Sequence, residues 1–367
     1  MDELFVISEG GQLIFSWHSQ KIKRDPEKDD DLIGGFLTAI NTFASLERGE
    51  DIKSLKLKES TIIFEKYEEK LTFVATTKND DLVELSHAML HQIIDTFIQM
   101  YPDLKEEPFQ GEVTRFYIFK ETVEKMVYAY GLDQLEDSLK LIDKNSLMKS
   151  IIYLDPNAGH ILYIHAKQYV NKEKLSFLVP LILNSARLLY KNNIGEDVHW
   201  ILLNTVRNEN LLVETRDKIL LVKQYQLKDN YEEEILALEF FQEKDKYVKK
   251  PKKITKQFES LIWDPKIKQI YLVDLMGKIL YSKIIDPTYD CRDYIPETIG
   301  FLTSSKNASD QIYSRTLFNA SIGGDKKFTT ICINFSNFAL ALIGDIRELS
   351  NFQTIQKICE DILVQLL

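Results

Sequence analysis

The chain has 367 residues, a formal net charge of −10, 44% hydrophobic and 28% charged residues. At about 100–200 residues per domain this is two or three domains, with enough apolar material for several cores and without the composition of a disordered chain. The acidic balance repels nucleic-acid phosphate, and three cysteines, an odd count without a Cys-x-x-Cys pair, do not suggest a disulfide framework, so a reducing, cytoplasmic setting is expected.

The N-terminal Met-Asp-Glu-Leu-Phe-Val-Ile-Ser lacks the basic and apolar regions of a signal peptide, and no apolar run reaches the ~18 residues that span a bilayer. Leu4–Phe15 holds two apolar runs around Gly11, the pattern of a β-hairpin whose turn needs positive φ. Asp29, Asp30 and Asp31 suit the positive end of a helix, and Ile33, Phe36, Leu37, Ile40, Phe43 and Ala44 recur at helical spacing. Three β-like runs follow at Ile52–Leu57, Ser60–Tyr67 and Leu71–Thr76. A helix over Asp81–Tyr101 then carries Leu82, Leu85, Met89, Ile93, Phe97 and Met100 on one face. A helical connector is read over about Phe109–Leu141.

The same series begins again at Ile151–Tyr163, with Gly159 in the turn. Leu175, Leu178, Val179, Ile182, Ala186 and Leu189 form the helical stripe, with Pro180 expected to kink or split it. Runs at His199–Asn204, Leu211–Thr215 and Ile219–Tyr225 and a weaker helix at Tyr231–Glu243 complete the second copy. A lysine-rich linker around Lys244–Lys256 leads to the third hairpin, Ile270–Tyr281, turning at Gly277. Tyr294, Ile295, Ile299 and Leu302 give a shorter helix with Pro296 in its first turn. The last strands are read at Gln311–Ser321, Phe328–Phe335 and Phe338–Asp345, with Gly323-Gly324-Asp325 as a hairpin turn, and Ser350–Leu366 as the closing helix.

Each copy therefore reads β-β-α-β-β-β-α, an α+β (α/β sandwich) module with a five-stranded antiparallel sheet flanked by helices. The predicted division is 1–105, a connector over 106–147, 148–243, a linker over 244–262, and 263–367, with three separate sheets. This order of elements resembles the longin domain and the roadblock-like modules around it, most specifically in Leu4–Phe15 and the helix over Leu32–Leu46. Three such modules in one chain resemble the tri-longin subunits of Rab exchange factors. The resemblance implies a small-GTPase or trafficking partner, other longin or roadblock proteins or a second copy of the chain, and no catalytic residue.

No Gly-x-Gly-x-x-Gly, Walker loop, Gly-x-Ser-x-Gly elbow or His-Glu-x-x-His is present. Glu84, His87, His91 and Asp95 share one helical stripe, a spacing that could hold zinc but better suits a solvated face or a subunit contact. Lys249, Lys250, Lys252 and Lys253 are a candidate contact for anionic membrane, against a solvated linker kept extended by Pro251. Trp17, with His18 and Lys21, is the candidate partner-binding surface, because exposed aromatics anchor interfaces; Trp17 and Trp263 could each instead cap the core of its own module. The expected function is a non-enzymatic regulator or scaffold of a small GTPase, exchange factor included, with no cofactor, metal or nucleic acid. The alternatives are a trafficking or assembly adaptor without exchange activity and an enzyme with an unrecognised site.

Overall fold

The computed structural model describes residues 1–19, 34–40, 42–44, 51–77, 82–105, 109, 112–132, 135–144, 147–226, 256–289, 294–335, 338–349 and 352–366. The chain divides into two compact units. The first is Met1–Asp137 with Leu162–Ile164 and Asp217–Ile219; the second is Ser138–Ile161, His165–Arg216 and Leu220–Leu367.

In the first unit, β1 (Glu3–Ser8), β2 (Leu13–His18), β3 (Ser54–Lys56), β4 (Thr61–Tyr67) and β5 (Leu71–Thr77) form an antiparallel sheet in the order β2-β1-β5-β4-β3. Helical residues 34–40 and 42–44, called α1, bury Leu37 against Phe5, Ile7, Ile62, Phe64 and Val74, but leave Phe36 and Phe43 exposed. The longer α2 (Val83–Met100) buries Leu85, Met89, Ile93 and Phe97, the stripe its spacing predicts, while Met100 stays partly exposed. The residues beyond α2, read from the sequence as a connector, belong to this unit's core. A 3-10 turn at Val113–Phe116 and α3 (Phe119–Ala129) bring Phe116 and Phe119 onto Phe97 at ring-centroid distances of 5.4 and 4.9 Å. A short α4 (Leu135–Asp143) follows.

The remaining ten strands form one antiparallel sheet, in the order β12-β11-β15-β14-β13-β8-β9-β10-β6-β7. Its first half is β6 (Met148–Leu154), β7 (Ile161–Ala166), β8 (Val198–Thr205), β9 (Glu209–Thr215) and β10 (Leu220–Gln226). Its second half is β11 (Ile267–Asp274), β12 (Ile279–Ile284), β13 (Leu317–Gly324), β14 (Phe328–Phe335) and β15 (Phe338–Asp345). Each half repeats the strand order of the first unit. The expected second and third sheets are not separate: β8 and β13 pair edge to edge, with Ala320 opposite Leu203, Ser321 opposite Leu202 and Ile322 opposite Ile201. The pairing satisfies two rows of backbone donors and acceptors that separate sheets would leave open.

On one face lie α5 (Lys172–Leu189), capped by Asn171 Oδ1 accepting from Lys174 N at 3.0 Å, and α6 (Ile295–Tyr313). They run side by side and antiparallel. Ser185 and Ser304 hydroxyls meet at 2.8 Å, and Lys174 Nζ donates to Gln311 O at 2.7 Å. The other face is covered by α7 (Phe352–Leu366). Its Ile355, Ile358, Cys359 and Ile362 pack on Ile270, Leu272, Ile331 and Leu340, and Trp200 and Leu202 of the first half belong to the same apolar cluster. Trp263 stacks on Phe258 at 6.3 Å at the margin of this core, as a cap of its own half.

The three hairpin glycines all have positive φ: +80° at Gly11, +71° at Gly159 and +82° at Gly277. Asp155 and Asp274 brace the second and third turns alike, each Oδ1 accepting two backbone N–H groups. Pro180 does not split α5, which is continuous from Lys172 to Leu189. The proline has no N–H for the Ser176 carbonyl four residues back, and Gly159 packs where any Cβ would collide with that carbonyl. The third module's first helix runs to Tyr313, so Gln311 lies in its last turn and β13 starts only at Leu317. Gly323 and Gly324 are not a turn but the end of β13. A Cβ on Gly323 would enter the Trp200 indole, and one on Gly324 would meet the Glu196 carboxylate, so the glycines serve close approach. The helix expected at Tyr231–Glu243, and the Ser350 cap of α7, lie outside the described residues.

Candidate protein-docking face

Trp17, the aromatic chosen from sequence, is 5% exposed. It lies two residues after Phe15 on β2, so the two side chains share the face that packs toward Phe97 and Phe119. Burial makes it a core residue rather than a surface anchor. His18 lies edge-on to Phe5, and its Nδ1 is 3.4 Å from Glu3 Oε1, while Thr76 Oγ1 donates to Glu3 Oε2 at 3.0 Å. These three side chains come from directly paired positions on β2, β1 and β5 and form a polar row across the sheet. Lys21, Lys249, Lys250, Lys252 and Lys253 lie outside the described residues.

The polar stripe of α2 meets a partner that its own spacing does not reveal. His87 Nδ1 lies 3.3 Å and His91 Nε2 3.7 Å from the same oxygen, Oε1 of Glu65 on β4. Glu84 and Asp95 are not part of this contact, and among the described residues no group of three or more His, Cys, Asp or Glu is arranged to hold a metal ion. The histidines thus brace the helix against the sheet through one half-exposed carboxylate. Purified protein is expected to hold less than one equivalent of zinc by atomic absorption. His87→Ala with His91→Ala should cost about 1 kcal/mol or less, since partly exposed polar contacts contribute little. Stoichiometric zinc lost in the double variant would show a metal site instead.

Among the described residues the cysteines are Cys332 and Cys359, both buried, and neither offers a nucleophile; Cys291 lies outside the described residues. Burial pushes the Cys332 thiol up to about 12, and the Cys359 thiol also rises because it is buried. Among the described residues no helix is long and apolar enough to cross a membrane.

What stands out is the outward side of the α5–α6 pair. The two helices bury matching positions: Leu175, Leu178, Val179, Ile182 and Ala186 on α5 correspond to Thr298, Phe301, Leu302, Ser305 and Ser309 on α6. By the same correspondence Phe177, Leu181, Asn184 and Leu188 match Gly300, Ser304, Asn307 and Gln311. Phe177 is 68% exposed, Leu188 55% and Leu181 38%. A two-fold-like scaffold therefore presents an apolar stripe on one helix and small polar groups on the other. The matching position in α1 is Phe36, 56% exposed, with Phe43 about two turns further on at 65%. Large apolar side chains set on a helix with its opposite face fixed in a core are positioned to bury area in a partner without losing backbone entropy. The sequence carries the signal: Phe177, Leu181 and Leu188 recur at helical spacing off the stripe that fills the core.

No family model matches the sequence, and no curated protein matches it. Among solved structures the chain is similar to Myxococcus xanthus MglB, at 20% identity and a TM-score of 0.25, over 31% of this chain and 88% of that one.

Proposed function

We propose that this chain is a non-enzymatic, protein-binding regulator or scaffold of a small Ras-superfamily GTPase, built from three longin-like modules over 1–105, 148–243 and 263–367. Its finer role in this reading is nucleotide exchange in a vesicle-trafficking-like process. The reading draws on the longin-like order of elements, which recurs three times as one strand order. The observation that carries the binding role is the exposed Phe177, Leu181 and Leu188 stripe on a helix whose other side is locked into a ten-stranded sheet. Its asymmetry fits one partner in one orientation. An exchange factor would have to bind the nucleotide-free state better than the loaded one, which is a demand on differential affinity and not on chemistry.

The test is a binding screen of the full chain against small GTPases loaded with a fluorescent guanine nucleotide. The expected result is capture of one of them, with Phe177→Asp plus Leu181→Asp weakening it by about tenfold or more while the thermal midpoint stays unchanged, as for surface substitutions. Faster nucleotide release on binding supports exchange; binding without release supports a scaffold. Failure with every GTPase, alongside a partner of another kind lost in the same double variant, would replace this reading with the adaptor one.

A further inference from the structure

The two halves of the ten-stranded sheet align residue by residue. Asp155 and Asp274 brace their hairpins alike, which makes Ile151 and Ile270, each four residues earlier, equivalent. From Ile151 the paired positions run through Lys223 and Leu212 to Leu202 on β8. From Ile270 they run through Leu342 and Ile331 to Ser321 on β13. Leu202 and Ser321 are thus counterparts, and they lie directly opposite each other where the halves join. A local two-fold axis passes between them.

The residues on either side of this axis do not obey it. At one end Trp200 lies opposite Gly323, and at the other Asn204 lies opposite Asn319. By the two-fold, Trp200 is the counterpart of Asn319, and Asn204 of Gly323, so neither strand carries a matching set on its own. All four share the face covered by α7, because Trp200, Leu202 and Ile333, the partner of Asn319, belong to that apolar cluster. We infer that the Trp200–Gly323 and Asn204–Asn319 pairs are a specificity lock, which makes β8 accept β13 and makes each strand reject a second copy of itself. The inference needs the shared strand order of the two halves and no GTPase.

The first pair is steric: the indole fills the space that any Cβ on Gly323 would enter. The second is polar. Asn204 and Asn319 are each 1% exposed, and Asn204 Oδ1 and both polar atoms of the Asn319 amide have no hydrogen-bond partner elsewhere. Side chains directly opposite in an antiparallel pair have Cβ atoms about 4.5–5.5 Å apart, within reach of an amide–amide bond. On its other side Asn204 faces Asn210, fully buried, whose Nδ2 donates to Asn208 O at 2.8 Å. The row Asn319–Asn204–Asn210 thus passes hydrogen bonds from strand to strand and ends on a main-chain carbonyl. Two copies of β13 about the same axis would set Asn319 opposite Gly323 twice, leaving two buried amides that lose their hydration for no partner. Two copies of β8 would set Trp200 opposite Asn204 twice, an indole against a side chain where only glycine fits. Rejection of the like strand is what lets modules of one fold sort themselves.

The experiment refolds the full chain from urea under reductant, at low and at high concentration, and then oxidises it. The parent carries Cys291→Ser; Cys332 and Cys359 are buried. Leu202→Cys with Ser321→Cys should close a disulfide within one chain at low concentration, since directly opposite positions lie within its reach. Ser321→Cys alone should give no covalent dimer above the parent, although a β13–β13 pairing would bring the two thiols together. Adding Asn319→Trp supplies β13 with the indole that Gly323 accepts and removes the amide that Asn204 needs. Covalent dimer at high concentration should then rise by about tenfold or more. Urea unfolding of Asn204→Ala, Asn319→Ala and the double variant checks the polar pair without any refolded dimer. The double should raise the unfolding constant about tenfold less than the product of the single effects. A pair of cysteines that stays open, covalent dimer from Ser321→Cys alone, no gain with Asn319→Trp, or purely multiplicative alanine effects would each overturn the proposal. GTPase capture is independent of all four outcomes.

Discussion

Glu196→Ala will destabilise the second unit by about 3–5 kcal/mol, the range for removing one partner from a buried charged network, and Glu196→Gln by clearly less. Glu196 stands just before β8, in the first half of the sheet, and is 5% exposed. Its carboxylate reaches the turn between β13 and β14, in the second half, accepting from the backbone N–H of Lys327 at 3.0 Å, Phe328 at 3.2 Å and Lys326 at 3.4 Å. Alanine would strand several of these donors with no acceptor. Glutamine keeps one carbonyl oxygen in place and removes only the charge assistance. Beside it, Tyr190, fully buried, sets its hydroxyl 3.0 Å from Ile322 O and 3.1 Å from Thr330 Oγ1. Urea unfolding followed by Trp200 and Trp263 emission, in a Trp17→Phe background, reads this unit alone. An alanine variant within 1 kcal/mol of wild type would mean that strand pairing and the shared core hold the halves together without the clasp.

The hairpins, the strand order and most core stripes are legible in the residues because they depend on local rules. Gly11, Gly159 and Gly277 take the positive φ their turns require, and α2 and α5 bury the side chains their period selects. The reading fails where a second element decides the outcome. The half of α6 from Thr303 to Tyr313 is rich in Ser, Asn and Gln and shows no apolar period. It is helical because Ser305, Ala308 and Ser309 are small enough to be buried beneath it. Gly323 and Gly324 look like a turn until Trp200 and Glu196, more than a hundred positions away, arrive against them.

Trp17 illustrates a related point. Its residue type suggests an interface anchor, while strand alternation places it with Phe15 on the buried face. Phe177, Leu181 and Leu188 already recur in the sequence at helical spacing off the core stripe, and the buried positions of α5 show that this second stripe points outward. Likewise the contact of His87 and His91 with Glu65 joins a helix to a strand, and no spacing within the helix could announce it.

Phe97→Ala should cost the first unit about 3–5 kcal/mol, as buried aromatic-to-alanine changes do, and Phe119→Ala should cost nearly as much. Phe97 is fully buried, with ring centroids of Phe119 and Tyr101 at 4.9 Å, Phe116 at 5.4 Å and Phe73 at 5.5 Å. Truncation removes the transfer free energy of the ring and leaves a cavity that five-membered aromatic packing cannot readily collapse. Phe119 touches the same ring and Phe15, at 5.4 Å, yet lies in the stretch that the sequence alone assigns to a connector. If that stretch were a loosely attached linker, Phe119→Ala would behave as a surface change, within about 0.5 kcal/mol. The first unit extends to Asp137, so the two variants should instead fall in the same range and couple strongly in a double-mutant cycle. The measurement is denaturant unfolding of the full chain with Trp17 as the only tryptophan, since Trp17 is buried in this unit and reports its opening.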